Sequence, residues 1–131
     1  MSLQFSTTLR NAIGDVVEST IGTAPTLEIR TGAAPANCGT ADSGTVLATM
    51  TLPSDWMAAA SGGSKALAGT WEDLTADATG TAAHFRIKQG ATCHMQGTCG
   101  MGTGDLQLDN TSIATGQKVT ITGFTLTAPG V

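Results

Sequence analysis

Charged residues are scarce in this sequence of 131 residues: Asp, Glu, Lys and Arg together make up 12%, and the formal net charge is −4. The six basic residues are scattered along the chain. Because binding to nucleic-acid phosphates requires clustered Lys and Arg side chains, this distribution argues against a nucleic-acid partner. The length suits one domain with an ordinary apolar core, and we expect a single domain over residues 1–131.

Long apolar runs are also missing. No segment approaches the roughly 18 apolar residues of a membrane-spanning helix. Residues 1–10 lack the apolar stretch that a signal peptide carries. We therefore expect a protein that is made in the cytoplasm, stays soluble and has no membrane partner.

Cysteine is rare, and its odd number of three does not indicate a framework of disulfides. A reducing compartment suits such thiols. Cys93, His94 and Cys99 are the best candidates for a metal site, but five residues separate the two cysteines, which is more than zinc ligands usually show. We therefore expect no metal, with Cys93 as a small buried residue and Cys99 in a turn. A Cys93–Cys99 disulfide is the alternative.

Catalytic motifs are missing as well. Neither of the two histidines, His84 and His94, lies in a familiar catalytic sequence pattern. The glycine-rich residues 97–104 are not followed by the helix that a phosphate-binding loop requires, because residues 105–108 alternate like a strand. We therefore expect no enzyme and no cofactor, and we predict a hairpin loop at residues 97–104.

Aromatic residues make up only 4% of the sequence, and Tyr is absent. Thr, Ala and Gly dominate instead, and Thr on strands gives a neutral surface that forms hydrogen bonds. Such a surface has little charge to desolvate when another protein covers it. The composition therefore favours a role in binding other proteins.

One amphipathic helix is predicted at residues 6–22, after a short arm at residues 1–5. Ser6 or Thr7 can cap its N-terminus, and Gly22 suits its C-terminal end. We expect its apolar side to cover the β-core of its own chain, with insertion into a neighbouring subunit as the alternative. The apolar positions at helical spacing are Leu9, Ala12, Ile13, Val16, Val17 and Ile21.

After this helix the apolar period changes to two, and residues 26–128 predict β-strands. The clearest alternating segments are residues 27–30, 46–52, 83–88, 93–95 and 106–109. Two long irregular segments, residues 31–44 and 54–69, are predicted to be loops. The pattern predicts a mainly β fold: an antiparallel β-sandwich, jelly-roll-like, with one N-terminal helix.

Two of the strands carry more specific predictions. In residues 83–88, we expect Phe85 to face the core, whereas His84, Arg86 and Lys88 face solvent. In the last strand, the apolar residues change from odd to even positions around Gly123, where we predict a β-bulge or a bend.

Several segments resemble a family of small proteins encoded by tailed bacteriophages and prophages. They are GAAPAN at residues 32–37, ADATGTAAHFRI at 76–87 and LDNTSIATG at 108–116, and the opening LQFSTTLRNA at 3–12 is also similar. The resemblance covers nearly the whole chain but includes no active site. It implies a structural virion protein, with capsid decoration (cement) on the phage head as the first choice.

This resemblance implies that the partners are the phage major capsid protein and further copies of the chain itself, for which trimers would suit threefold lattice positions. A tail or baseplate structural protein is the alternative within the same class. A carbohydrate-binding module, which needs a platform of exposed Trp or Tyr, is the alternative of another class. The arm and the two long loops are expected to supply the interface residues, namely Leu3, Phe5, Pro35, Asn37, Trp56 and Met57. The other interpretation of Trp56 is structural, as a side chain that fills the end of the β-sandwich.

Overall fold

The computed structural model describes residues 3–131, which form one α-helix and ten β-strands. The helix is α1 (Thr7–Ile21). The strands are β1 (Thr26–Arg30), β2 (Val46–Thr51), β3 (Ser64–Ala66), β4 (Glu72–Asp73), β5 (Gly80–Thr81), β6 (His84–Gln89), β7 (Thr92–Gly100), β8 (Leu106–Leu108), β9 (Ser112–Ile113) and β10 (Val119–Thr127).

The ends of α1 are set by the residues that the sequence indicates. The Ser6 hydroxyl accepts a hydrogen bond from the Leu9 N–H at 3.1 Å, which satisfies one of the free donors of the first turn. Gly22 follows the last helical residue with φ 95°, in the left-handed region that glycine adopts at low cost. The predicted helix is confirmed.

Eight strands form one curled sheet in the order β2-β1-β6-β7-β8-β10-β3, with β4 paired to β10 outside this path. Strands β5 and β9 form a separate two-stranded sheet. The large sheet is mixed, because β7 and β8 run parallel while the other pairs are antiparallel, and it curls as a half-barrel. The mainly β class with one helix is confirmed. Two facing sheets of an antiparallel β-sandwich are not confirmed.

The last strand contains the predicted irregularity. The pairing of β10 with β8 shifts register between Ile121 and Gly123. The extra residue changes which side chains point inward, so Val119, Ile121 and Phe124 are all buried in one core. The β-bulge predicted from the change of parity is therefore confirmed.

The glycine-rich residues 97–104 do not form the predicted hairpin loop. Strand β7 continues to Gly100, and β8 pairs with it in parallel orientation. Gly97 is required inside this strand because an added Cβ would lie 2.9 Å from Phe85 Cε1 and 2.7 Å from Asp105 Oδ2. Glycine at this position allows a close approach between strands; it does not mark the turn that was predicted.

Residues 54–69 also differ from the predicted loop. They include β3, which pairs with β10, and a bridge between Met57 and Leu67. Trp56 and Met57, expected at an interface, are fully buried at 0% and 1% exposure. Trp56 Nε1 donates to the Gly22 carbonyl at 3.0 Å, so this residue joins the end of α1 to the core. Both residues therefore belong to the core and are not available to a partner.

Four aromatic side chains form a continuous path through the core. The ring centroids are 5.9 Å apart for Trp56 and Trp71, 5.6 Å for Trp71 and Phe124, and 6.0 Å for Phe124 and Phe85. These separations are typical of favourable aromatic pairs. The path connects the segment between β2 and β3, through Trp71, with β10 and β6.

We expect Phe85→Ala to reduce the free energy of unfolding by about 3–5 kcal/mol, because it removes a fully buried ring from this path. Urea unfolding followed by tryptophan fluorescence measures the change. The matched control is Leu74→Ala, at an exposed residue, which should change stability by less than about 0.5 kcal/mol. Equal losses in the two variants would contradict the assigned core.

Candidate functional site

The outer face of β1 and β6 is covered by the β1–β2 loop, which is residues 31–45. His84, Arg86 and Lys88 were expected to face solvent, but all three are buried. Their side chains lie on the face opposite Phe85, as predicted, and the β1–β2 loop folds across them. The prediction of solvent exposure was wrong because the alternation within one strand does not reveal a distant loop that folds across its outer face.

Buried charges require partners, and one loop residue, Asp42, serves three cations. Its carboxylate lies 2.7 Å from Arg86 Nη1, 2.6 Å from Lys88 Nζ and 3.1 Å from Arg30 Nη2. Glu28 on β1 adds contacts to Arg30 at 2.9 Å and to Lys88 at 3.1 Å. Because an unpaired buried cation is strongly destabilising, this arrangement fixes the position of Asp42 and therefore of the loop.

Backbone carbonyls of the β1–β2 loop form further hydrogen bonds with side chains of β6 and β7. Arg86 Nη2 donates to the carbonyls of Asn37 and Thr40 at 3.0 and 2.9 Å. On β7, Gln96 Nε2 donates to the Pro35 carbonyl at 2.7 Å. His84 Nδ1 lies 2.8 Å from the Gly32 carbonyl, in a bond whose direction depends on the tautomer. The loop is therefore held to the sheet along most of its length.

A disulfide adds a covalent attachment at the middle of the β1–β2 loop. Cys38 in the loop is bonded to Cys93 on β7, with the Cα atoms 5.2 Å apart. This corrects the expectation of free thiols and the alternative pairing of Cys93 with Cys99. Cys99 is the free cysteine; it lies within β7, not in a turn, and burial raises the pKa of its thiol to about 11. His94, between these cysteines, is exposed.

The exterior of the β1–β2 loop is almost uncharged. Its one ionisable side chain is Asp42, and the cations beneath neutralise it. Asn37 is exposed and Pro35 is half-buried, so these two expected interface residues lie on the loop surface. A loop that is held rigid loses little conformational entropy on binding, and a neutral one has little charge to desolvate. The loop therefore has the physical properties of a preformed protein-binding platform.

The helix attaches to the sheet through polar residues. The Arg10 guanidinium donates to the Ala128 carbonyl at 3.0 Å and to the Gly62 carbonyl at 3.3 Å. Lys65 on β3 lies 2.8 Å from Asp15 and 2.9 Å from Glu18. Burial alone would lower the pKa of Lys65, but the hydrogen bonds to the two carboxylates outweigh it and raise the pKa. These contacts fix α1 on the side that carries Arg10 and Gly14.

As a consequence, part of the apolar side of α1 faces solvent. Leu9 and Val16 are 47% and 59% exposed, which corrects the expectation that they cover the core. Leu3 in the preceding arm is 77% exposed. Phe5 is half-buried, and its N–H donates to the Gly130 carbonyl at 2.8 Å. The arm and α1 thus present a second, apolar surface.

Comparison of the chain with protein-family models, with curated proteins and with solved structures found no match. In residues 3–131, no helix has both the length and the apolar character needed to cross a membrane. The same residues bring together no group of three or more His, Cys, Asp or Glu side chains that could hold a metal ion.

One signal in the sequence could have indicated that the β1–β2 loop folds across the sheet. Arg86 and Lys88 share a face of one predicted strand, and Arg30 is on another. The irregular residues 31–44 contain a single acid, Asp42. The residue spacing does not say which strands are neighbours. Only the pairing of β1 with β6 brings these cations together.

Asp42→Asn should lower stability at neutral pH, because the hydrogen bonds from Lys88 and then Arg86 hold the pKa of Asp42 below its ordinary value of 3.8. A carboxyl group with a lowered folded-state pKa contributes stability above its unfolded pKa and loses it as the pH falls through the folded value. The difference between wild type and variant should therefore shrink below about pH 4. Urea unfolding at a series of pH values measures it. A difference that does not shrink at all on acidification would contradict a contribution from the Asp42 charge.

Removal of the disulfide in a Cys38→Ser/Cys93→Ser variant should reduce the free energy of unfolding by about 2–4 kcal/mol, because the bond closes a segment of 55 residues in the unfolded chain. Hydrogen exchange of the loop amides should also accelerate. The control is Cys99→Ala, which removes a thiol without removing a covalent link and should cost less than about 1.5 kcal/mol. Detection of three free thiols in the unreduced, denatured wild type would contradict the pairing.

Proposed function

We propose that this chain is a non-enzymatic structural protein of a tailed bacteriophage particle, most simply a capsid decoration (cement) protein. In this role it binds and stabilises the lattice of the major capsid protein on the head surface. The observation that carries the proposal is the anchored, neutral β1–β2 loop. Its residues 32–37 form one of the segments that resemble the phage family, and they lie on the exposed part of the loop.

The proposed mechanism depends on geometry and repetition. A decoration protein occupies many equivalent positions, so each contact can be weak while the sum over the lattice is strong. The β1–β2 loop is held by the disulfide and by Asp42, and therefore does not need to be ordered on binding. Its neutral exterior suits contact with a second protein surface, since few charges must be desolvated.

The proposal includes the jelly-roll-like β-sandwich as the finer fold class. In support, β2, at one end of the curled sheet, approaches β4, because the Thr49 N–H on β2 donates to the Asp73 carboxylate on β4 at 3.0 Å. Because β4 pairs with β10, strands that are distant in the sheet order come together around one core.

A carbohydrate-binding module receives less support. Such a site needs aromatic side chains on its surface, whereas Trp56, Trp71, Phe85 and Phe124 are all buried. The remaining aromatic residue, Phe5, is half-buried against Gly130. None of these residues provides an exposed aromatic platform.

Electron microscopy of labelled particles tests the location. An epitope tag at the C-terminus, detected with gold-labelled antibody, is expected on the heads at many regularly spaced positions. Label on tails alone would replace capsid decoration by the tail or baseplate alternative. Absence of the protein from purified particles would overturn the proposal as a whole.

Ala36→Arg tests whether the β1–β2 loop is the contact. Ala36 is exposed between Pro35 and Asn37, so an added arginine should leave the fold intact while placing a charge on the platform. We expect at least about tenfold weaker binding to particles that lack the protein, because an interfacial charge must then be desolvated. The control is Leu74→Arg at an exposed residue outside the loop. Equal occupancy for both variants, measured by sedimentation with particles, would exclude the loop as the contact.

A further inference from the structure

The inner side of the curled sheet contains an open groove of about 580 Å³ between β7 and β10. Its apolar lining comes from Phe85 and Met95 on one side and from Phe124 and Leu126 on the other. Phe85 and Phe124 belong to the aromatic path and are buried beneath the groove. The groove is therefore a continuation of the core that opens to the surface.

One wall of this groove is an unpaired edge of β7. On the side away from β6, β7 pairs with β8 only through Cys99 and Gly100. The next outward-facing residue, Thr98, donates its N–H to the Asp105 carboxylate at 3.0 Å. Because backbone groups alternate in direction along a strand, the N–H and C=O of Gln96 also point outward, and within residues 3–131 no strand pairs with them.

The opposite wall is an unpaired edge of β10. Phe124 and Ala128 form backbone hydrogen bonds toward β3 and its flanking residues, through Leu67 N–H and the Gly63 carbonyl. By the same alternation, the backbone groups of Thr125 and Thr127 point to the other edge. On that edge β8 pairs with β10 no further than Phe124. Within the described residues, two unpaired edges thus face a groove that is apolar in part and polar in part, with Gln96, Asp105 and Gln107 in its lining. Unpaired edges of this kind are the condition for adding a strand.

We propose that this groove binds the extended segment before α1 of a second copy of this chain. The arm and the first turn of α1 contain no charged side chain in residues 3–9, so insertion of Leu3 and its neighbours would bury none. Leu3, Gln4 and Phe5 alternate apolar and polar with the period of a strand, and Phe5 stays bonded to Gly130 of its own chain while Leu3 supplies the contact. Among residues 3–25, Leu3 is the most exposed large apolar side chain, and it supplies the anchor for the groove.

The position of the arm favours reciprocal exchange between copies. The Phe5 N–H donates a hydrogen bond to the Gly130 carbonyl. Thr127 is the last residue of the groove wall, and Gly130 lies three residues further on, at most about 11 Å along the chain. Each copy therefore presents its arm close to its own groove. Two copies that face each other can exchange arms at one interface, because the same surface supplies both the donor and the acceptor.

Self-association of the purified chain tests this proposal, and the result does not depend on the proposed role in a phage particle. Sedimentation velocity over a range of concentrations should show reversible association of the wild type. Leu3→Asp should weaken association at least about tenfold without loss of folding, since Leu3 is 77% exposed. The control Leu74→Asp should associate like the wild type. A wild type that stays monomeric, or a Leu3→Asp variant that associates normally, would overturn the proposal.

Cross-linking tests the position of the arm directly. In a Cys99→Ala background, a Leu3→Cys chain is mixed with a Thr127→Cys chain, and the mixture is oxidised mildly. We expect a covalent heterodimer that mass spectrometry identifies by its Leu3→Cys to Thr127→Cys link. A double variant that forms this link within one chain would overturn the exchange, because the arm would then fill its own groove.

Discussion

The structure depends on the burial of three cations on the outer face of the sheet. Arg30, Arg86 and Lys88 lie on neighbouring strands and cannot remain unpaired away from water. Asp42 satisfies all three, and its position requires the β1–β2 loop to fold across the sheet. The disulfide between Cys38 in the loop and Cys93 on β7 then holds the loop in place. A flexible connection thereby becomes part of the rigid body.

The same principle explains why apolar residues are exposed elsewhere. Arg10 and Lys65 attach α1 to the sheet by polar contacts, so the helix turns Leu9 and Val16 outward. Ile21 and Val17 still pack on the core, but a buried arginine beside exposed Leu9 and Val16 departs from the usual arrangement of a surface helix. A small protein gains a neutral loop and an apolar helix surface in this way, and both are suited to contact with other proteins.

Local patterns predicted the elements whose residues act independently of distant partners. The capping of α1 by Ser6 and the β-bulge near Gly123 follow from residues adjacent in sequence, and both were confirmed. The predictions failed where a distant segment decides the environment. Gly97 was assigned to a turn because its contact with Phe85 across the strand pair is invisible in the sequence. For Trp56, the sequence left both an interface role and a place in the core open, and only its packing against Trp71 decides for the core.

The amino-acid sequence by itself determined the mainly β class, the position of the helix and the inward face of β6, because these depend on apolar periodicity over a few residues. Only the tertiary structure decided that β7 and β8 run parallel, that Cys38 pairs with Cys93, and that a groove opens beside β10. The physical reason is the same in each case. These features depend on which strands are neighbours, and strand order is set by the total free energy of packing and charge burial, which no single segment contains.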